Sequence, residues 1–398
     1  ISLALLLIIV QDFFICPSCS IDDLNKTGSR NGKIYCRACL PFQGQNAPIV
    51  KHFPLNLPIS LNYELTAEQK RIAEEINENY VNKANSLVYA VCGAGKTELV
   101  YLAMQTALAK GHQIGFTVPR REVVIELAMR IKSTFPAAKV ISVFGDHHDV
   151  LTGNIIVLTT HQLFRYENYF DLLIFDEIDA FPYVGDLVLE AFFKRSVKGV
   201  YVLLSATPSQ KLLTEFPKQG KVLTLFTRFH NNKIPEPKVS RGFLLFSFVL
   251  LLKHLSFFIK REKPVLIFVP TIRLANFIYK LLKLDYKNGN IVHSKVKDNS
   301  KIIDDFKKGK YVYLVTTTVL ERGVTIKGLQ VIIYNADHPV YDAASLVQIS
   351  GRVGRKKEES DGEVIFIVTR ENKAIKDAIS DIKAKNEYLQ SMLQKYSS

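Results

Sequence analysis

The stretch from Ser86 to Thr97 constrains the fold of this chain more than any other. Ser86–Val91 reads as an apolar strand, and it runs straight into Cys92-Gly93-Ala94-Gly95-Lys96-Thr97. A helical pattern follows over Thr97–Lys110, with Leu99, Leu102 and Ala103 on one side and Gly111 as the stop. The glycines let backbone N–H groups wrap phosphates, and a helix starting at Thr97 points its positive end at them. Lys96 then reaches the β- and γ-phosphates of ATP, and Thr97 holds Mg²⁺. A chance glycine turn could supply Gly93 and Gly95, but not also Lys-Thr at a strand-to-helix junction. Cys92, inside the loop, reads as a small buried filler.

A strand that ends this way belongs in a parallel sheet, and the rest of the chain alternates accordingly. Strands are expected at Gln113–Val118, Ile155–Leu158, Leu172–Phe175 and Val200–Leu204, with a helix over Arg121–Thr134. The pattern breaks around Asn231–Pro237. It resumes with strands at Val265–Val269, Tyr311–Thr316, Val331–Tyr334 and Val364–Val368, helices between them and a closing helix over Glu371–Tyr396. No internal sequence repeat is evident. The apolar run Phe243–Ile259 is interrupted by Lys253 and His254, which favours a buried helix over a membrane span. Residues 1–14 are mostly apolar, without the basic start or small-residue cleavage site of a secretory signal, and stay unassigned. The chain reads as soluble.

Four cysteines fall as Cys16-x2-Cys19 and Cys36-x2-Cys39. Two such knuckles on a short hairpin complete a closed, structural zinc site. Paired disulfides would need an oxidising compartment, whereas an ATP-using protein works where thiols stay reduced. His52–Ser60, with Pro54 and Pro58, reads as a linker. The formal net charge is +14, and it is concentrated: residues 241–310 hold 15 Lys/Arg against 5 Asp/Glu. Charge of that density concentrates polyanions and suits a nucleic-acid partner.

The second chemical centre is Asp176-Glu177-Ile178-Asp179, delivered by the apolar run Leu172–Phe175. Asp176 suits Mg²⁺ ligation and Glu177 suits polarising the attacking water. With the phosphate loop, these residues make the chain resemble the superfamily-2 helicases, and further motifs follow in order. Leu65-Thr66-x-x-Gln69 looks like the adenine-reading element, and Ser205-Ala206-Thr207 like the motif coupling hydrolysis to movement. Thr316-Thr317-Thr318 to Leu320-Glu321-Arg322-Gly323-Val324 looks like the fifth motif, and Gln348-Ile349-Ser350-Gly351-Arg352-Val353-Gly354-Arg355 like the sixth.

The resemblance spans residues 65–368 and implies an α/β protein with two RecA-like parallel-sheet lobes. The implied division is 15–62 for the four-cysteine zinc module and linker, 63–228 for lobe one, 229–242 for a linker, and 243–398 for lobe two. It implies a nucleotide site of Gln69, Gly93, Ala94, Gly95, Lys96, Thr97, Asp176 and Gly323. Lys96, Asp176, Glu177, Gln348, Arg352 and Arg355 are the implied catalytic set, with Arg352 and Arg355 reaching the γ-phosphate. Strand contacts are expected at Pro119-Arg120, Thr160-His161, Thr271 and Thr316 to Thr318, which suit gripping phosphate and sugar without reading bases.

Within the superfamily, Asp179-Ala180-Phe181-Pro182-Tyr183, Asp337-His338-Pro339, Leu346-Val347-Gln348 and the leading cysteine module are similar to the competence family ComFA. That family implies a cytoplasmic DNA translocase drawing single-stranded DNA into the cell. It would work at the inner face of the membrane, with an import channel and other competence proteins. The primosomal helicase PriA is a relative whose zinc cysteines lie between second-lobe motifs, unlike these. A scaffold whose ATPase serves only as a switch is the other reading.

Overall fold

A computed structural model of the chain describes residues 14–179, 183, 185–230, 232–243, 245–321, 326–354 and 362–397. They form two compact units, the described residues of 14–89 with 96–224 and those of 90–95 with 225–397.

The first unit begins with a hairpin of β1 (Thr27–Arg30) and β2 (Lys33–Cys36), paired antiparallel from Thr27↔Cys36 to Arg30↔Lys33. Asn31 and Gly32 make its two-residue turn with φ of 52° and 74°. Both residues have positive φ, as the turn that matches strand twist requires. Helix α1 (Ala67–Val81) leads into β3 (Asn85–Ala90). After the phosphate loop come α2 (Lys96–Leu99), α3 (Tyr101–Ala109), β4 (Ile114–Val118), α4 (Arg121–Thr134), β5 (Val140–Val143), β6 (Ile155–Thr159) and β7 (Phe170–Asp176). Helix α5 (Leu187–Ser196), β8 (Val197–Ser205), α6 (Gln210–Glu215) and β9 (Gly220–Leu225) complete it.

The seven-stranded sheet has the order β5-β6-β4-β7-β8-β3-β9. Pairing is parallel from β5 through to β3. Strands β4 and β6 are buried at every position, as strands covered on both faces must be. Helix α4 keeps the bounds that the sequence suggests, whereas the helix expected over Thr97–Lys110 divides at the fully buried Val100.

The stretch that reads as a module and free linker is built into this unit. Cys16, Cys19 and Cys36 share one buried cluster with Leu158, Phe164, Phe170 and Phe192. The segment after Cys39 runs along the unit as a strap. The Ala47 N–H donates to the Arg165 carbonyl at 2.9 Å, that of Leu55 to Leu108 at 2.8 Å, and that of Ser60 to Thr134 at 3.1 Å. Gln105 and Tyr169 donate to the carbonyls of Leu57 and Pro48.

The second unit has β10 (Lys238–Arg241), α7 (Leu245–Ile259), β11 (Val265–Phe268), α8 (Ile272–Asp285), β12 (Gly289–Val292), α9 (Asn299–Lys307) and β13 (Tyr313–Thr316). It continues through β14 (Gln330–Tyr334), α10 (Ala343–Ser350), β15 (Val364–Val368) and α11 (Lys373–Ser397). Its six strands run parallel in the order β10-β15-β14-β11-β13-β12.

Two expectations change here. Lys238–Arg241, read as linker, is an edge strand paired with β15 from Lys238↔Ile365 to Arg241↔Val368. Four residues on a sheet edge leave too weak an alternation to see in sequence. The run Phe243–Ile259 does form a helix, but only one face is buried. Leu251, Leu255 and Phe258 pack on the sheet while Phe246, Val249 and Phe257 are exposed. Among the described residues no helix is long and apolar enough to cross a membrane.

Because the strap is hydrogen-bonded along the first unit, removing residues 1–60 should destabilise that unit, each broken bond costing about 1 kcal/mol. The thermal midpoint should fall by roughly 5 °C or more. An unchanged midpoint in calorimetry would show that the strap contributes nothing.

Candidate functional site

The C-terminal ends of the first sheet's strands carry its chemistry, where chains leaving a parallel sheet bring polar groups out beside helix starts. Strand β3 delivers the phosphate loop. Gly93 and Gly95 take φ of +85° and +77°, conformations that residues with a Cβ rarely adopt. Thr97 is buried and Lys96 half-buried at the start of α2. Strand β7 ends on Asp176, where loss of water pushes the carboxyl up to about 6. The Lys96 charge pulls the other way, and the neighbouring Glu177 adds to the rise. Lys96 and Asp176 therefore face one electrostatic centre. A divalent cation there would favour the ionised carboxylate.

Glu177 sits at φ +59°, a left-handed conformation costing about 1–3 kcal/mol for a side-chain-bearing residue. Its N–H donates to Asp176 Oδ1 at 2.9 Å, which helps hold the turn. Strand β8 brings Ser205-Ala206-Thr207 alongside. Ser205 Oγ donates to Asp179 Oδ1 at 2.8 Å, Thr207 Oγ1 donates to Asp179 Oδ2, and the Thr207 N–H donates to Ser205 Oγ at 3.0 Å. The acidic turn and Ser205-Ala206-Thr207 are thus tied together by hydrogen bonds.

Gln69 has a role that the sequence reading missed. Its Oε1 accepts from the Thr66 N–H at 2.9 Å while Thr66 Oγ1 accepts from the Gln69 N–H at 3.2 Å. This capping box starts α1, and the spacing Thr66-x-x-Gln69 was its signal.

In the second unit Gln348 is buried on α10. Arg352 is also buried, its Nε donating to the Glu321 carbonyl at 2.8 Å. Gly323 and Arg355 lie outside the described residues, as do Ala180, Phe181 and Pro182. Arg228 had no motif to announce it. It is 1% exposed and donates to the carbonyls of Cys92, Gly351, Val353 and Gly354, all of the same unit.

The proposed strand contacts follow the same edge rule. Pro119-Arg120 follows β4 and Thr160-His161 follows β6; Thr271 follows β11, and Thr316 to Thr318 close β13, with Thr160 and Thr316 fully buried and His161 and Thr271 exposed. Thr271 Oγ1 caps α8 by accepting from the Leu274 N–H, so it also has a structural duty. Lys295 and Lys297 are exposed in the loop after β12, and Lys301 on α9. Lys307 and Lys310 instead pair with Asp304 and Asp305.

The sulfurs of Cys16, Cys19, Cys36 and Cys39 all lie within 4.8 Å of one another. Cys16–Cys39 and Cys19–Cys36 are each 3.7 Å apart, and all four are free thiols. A disulfide needs about 2.05 Å. A zinc tetrahedron with bonds of about 2.3 Å has edges of about 3.8 Å, so the four residues fit the ion. Burial holds the Cys19 thiol up at about 11, whereas Cys16 is lowered despite its burial by backbone hydrogen bonds from Cys19 and Ser18.

Lys96→Ala should abolish nucleotide turnover. Glu177→Gln should keep ATP binding but lower kcat at least 10³-fold, near the scale of a missing electrostatic partner at phosphoryl transfer. Steady-state hydrolysis with equilibrium ATP binding checks both, and wild-type turnover in either variant would remove this site. Metal analysis of protein prepared under reducing, chelator-free conditions should give one zinc per chain, absent from Cys16→Ser and Cys36→Ser. Metal-free wild-type protein would refute the zinc assignment.

Residues 62–210 match the family described as type III restriction enzyme, res subunit, and residues 248–357 the helicase conserved C-terminal domain. The ATP-dependent DNA helicase RecG of Thermotoga maritima is 27% identical over 343 residues, covering 76% of this chain and 42% of RecG. In fold, the chain resembles S. cerevisiae Dbp5 bound to RNA and ADP BeF3, with a TM-score of 0.62 at 21% identity over 81% of this chain and 92% of that one. These matches make it a nucleic-acid-dependent ATPase of the helicase type. The competence protein ComFA of Bacillus subtilis is 31% identical over 381 residues, 90% of this chain and 82% of its own length. That of Streptococcus pneumoniae is 32% identical over 390 residues, 94% and 90%. With likeness at that level along most of both relatives, the chain belongs to the ComFA family of competence proteins.

Proposed function

We propose that this protein is an ATP-driven translocase that draws single-stranded DNA into the cytoplasm during natural transformation. The observation that carries the reading is the likeness to two competence proteins along more than four fifths of their length. The proposed place of work is the inner face of the cell membrane, beside a DNA-import channel and other competence proteins.

ATP and Mg²⁺ serve the reaction. Lys96 and Gly93 to Gly95 hold the phosphates, Thr97 and Asp176 hold the metal, and Gln69 reads the adenine. Glu177 polarises the water, while Gln348, Arg352, Arg355 and Gly323 are the second lobe's contribution to the reaction. Arginines neutralise charge that develops on the transferring phosphoryl group, an effect worth about 10³–10⁵ in rate. Hydrolysis then resets the lobes. If contacts at Pro119-Arg120, Thr160-His161, Thr271 and Thr316 to Thr318 tighten in alternation, each cycle advances the motor along one strand.

Hydroxyls and backbone amides at strand ends grip a backbone of any sequence. The exposed lysines after β12 support binding by counterion release, which makes affinity fall steeply with salt. Charge reversal at Lys295, Lys297 or Lys301 should flatten the log–log salt slope by about 0.7 for each phosphate no longer neutralised. An unchanged slope returns that lysine to plain solvated surface.

A strain lacking the gene should lose most transformation while growth and DNA-damage survival stay normal, and Lys96→Ala should reproduce the loss. Normal transformation combined with sensitivity to replication stress would replace this reading with replication restart.

A further inference from the structure

The segment Thr160–Arg165 at the end of β6 is gripped from the side by the chain that leaves the cysteine cluster. Phe42, three residues beyond Cys39, stacks on the exposed His161 ring with centroids 6.2 Å apart and planes 18° apart. The same phenylalanine packs edge-on against Phe192 at 4.9 Å. Arg165 ends the segment, 3% exposed, with its guanidinium 4.6 Å from the Phe164 ring centroid. Its Nε donates to Gln162 Oε1 at 2.6 Å, and its Nη1 donates across to the Gln45 carbonyl at 2.7 Å. Its own carbonyl accepts from the Ala47 N–H. Gly44 lies so close that a Cβ there would come within 2.7 Å of Nη1. No carboxylate among the described residues compensates this cation, which is spent on backbone and amide oxygens.

A buried arginine bonded to a neighbouring segment fixes geometry, because its planar fork leaves the acceptors little freedom. The Phe42–Gln45 stretch is in turn fixed at its other end by Cys39, a ligand of the four-thiol cluster. The thiol cluster and the contacts of Phe42 and Gln45 with the Thr160–Arg165 segment thus lie at the two ends of one short stretch of chain.

We propose that Arg165 and Phe42 are positioning residues that link metal occupancy at Cys16, Cys19, Cys36 and Cys39 to the grip of the exposed His161, beside the buried Thr160, on single-stranded DNA. The proposal rests on the reading of Thr160-His161 as a strand contact. The cysteine cluster thereby acts as a tuner of strand affinity.

Hydrogen exchange on the zinc-loaded wild-type protein, before and after chelation under reducing conditions, tests the mechanical link without any DNA. Backbone amides of residues 159–166 should exchange at least about 10-fold faster once the metal is gone, and unchanged exchange would overturn the link. Affinity for labelled oligo(dT) tests the consequence. Arg165→Met and Phe42→Leu should each keep one zinc per chain yet bind about 10-fold more weakly. Removing zinc from Arg165→Met should cost nothing further, whereas in the wild type it should cost the same factor. Wild-type affinity in both variants, or an equal zinc effect with and without Arg165, would overturn the proposal. If wild-type protein binds no oligo(dT) at all, the DNA reading fails, and the proposal, which needs a DNA grip, falls with it. Faster exchange in that case would leave only the mechanical link.

Discussion

A parallel sheet buried on both faces can bring polar chemistry out only where its strands end. Strand β7 illustrates the constraint: Leu172, Leu173, Ile174 and Phe175 are fully buried, and the next residue is the carboxylate Asp176. The same burial that makes the strand rigid costs Asp176 its hydration and raises its pKa, with Lys96 opposing the rise. In the proposed reaction Mg²⁺ and phosphate would add to this electrostatic balance. Glu177, held in a left-handed backbone conformation immediately after the strand, is aimed by strain that the flanking sheet sustains. Ser205 and Thr207 tie Asp179 to the adjacent strand end, so a change at the acidic turn is felt one strand away.

The cysteine cluster uses a different source of order. A segment of about fifty residues buries so little apolar surface that it is marginal on its own. This one combines a thiol tetrahedron with the lobe's own core, since Cys16, Cys19 and Cys36 pack in the same cluster as Leu158 and Phe192. Its strap then contributes backbone hydrogen bonds along α3, α4 and the turn at Arg165. A module attached this way is a part of the first unit.

Much of this was legible in the sequence, and the misses share a cause. The phosphate loop, the acidic turn, the cysteine pairs and the bounds of α4 and β15 each declare themselves through local patterns of a few residues. The stretch His52–Ser60 looked like a linker because its partners, such as Leu108 and Thr134, are far away in sequence and are contacted by backbone atoms. No side-chain pattern encodes such bonds. Strand β10 was hidden for the same reason, being defined by pairing with a strand more than a hundred residues later. Arg228 and Arg165 could not be found from motifs, since only the folded chain reveals that a cation is buried among carbonyls. Gln69 shows the opposite case: one short motif fits both a capping box and an adenine reader, and the structure displays the first role.

The central claim is that ATP hydrolysis and strand binding are one coupled machine, and a single titration addresses it directly. The steady-state ATPase rate is measured against increasing single-stranded DNA of mixed sequence at low salt, with duplex DNA and RNA in parallel. Coupling predicts a saturable rise of at least about tenfold with single-stranded DNA, of the size expected when a ligand selects the closed catalytic state. A rate that stays flat while DNA is demonstrably bound would contradict it.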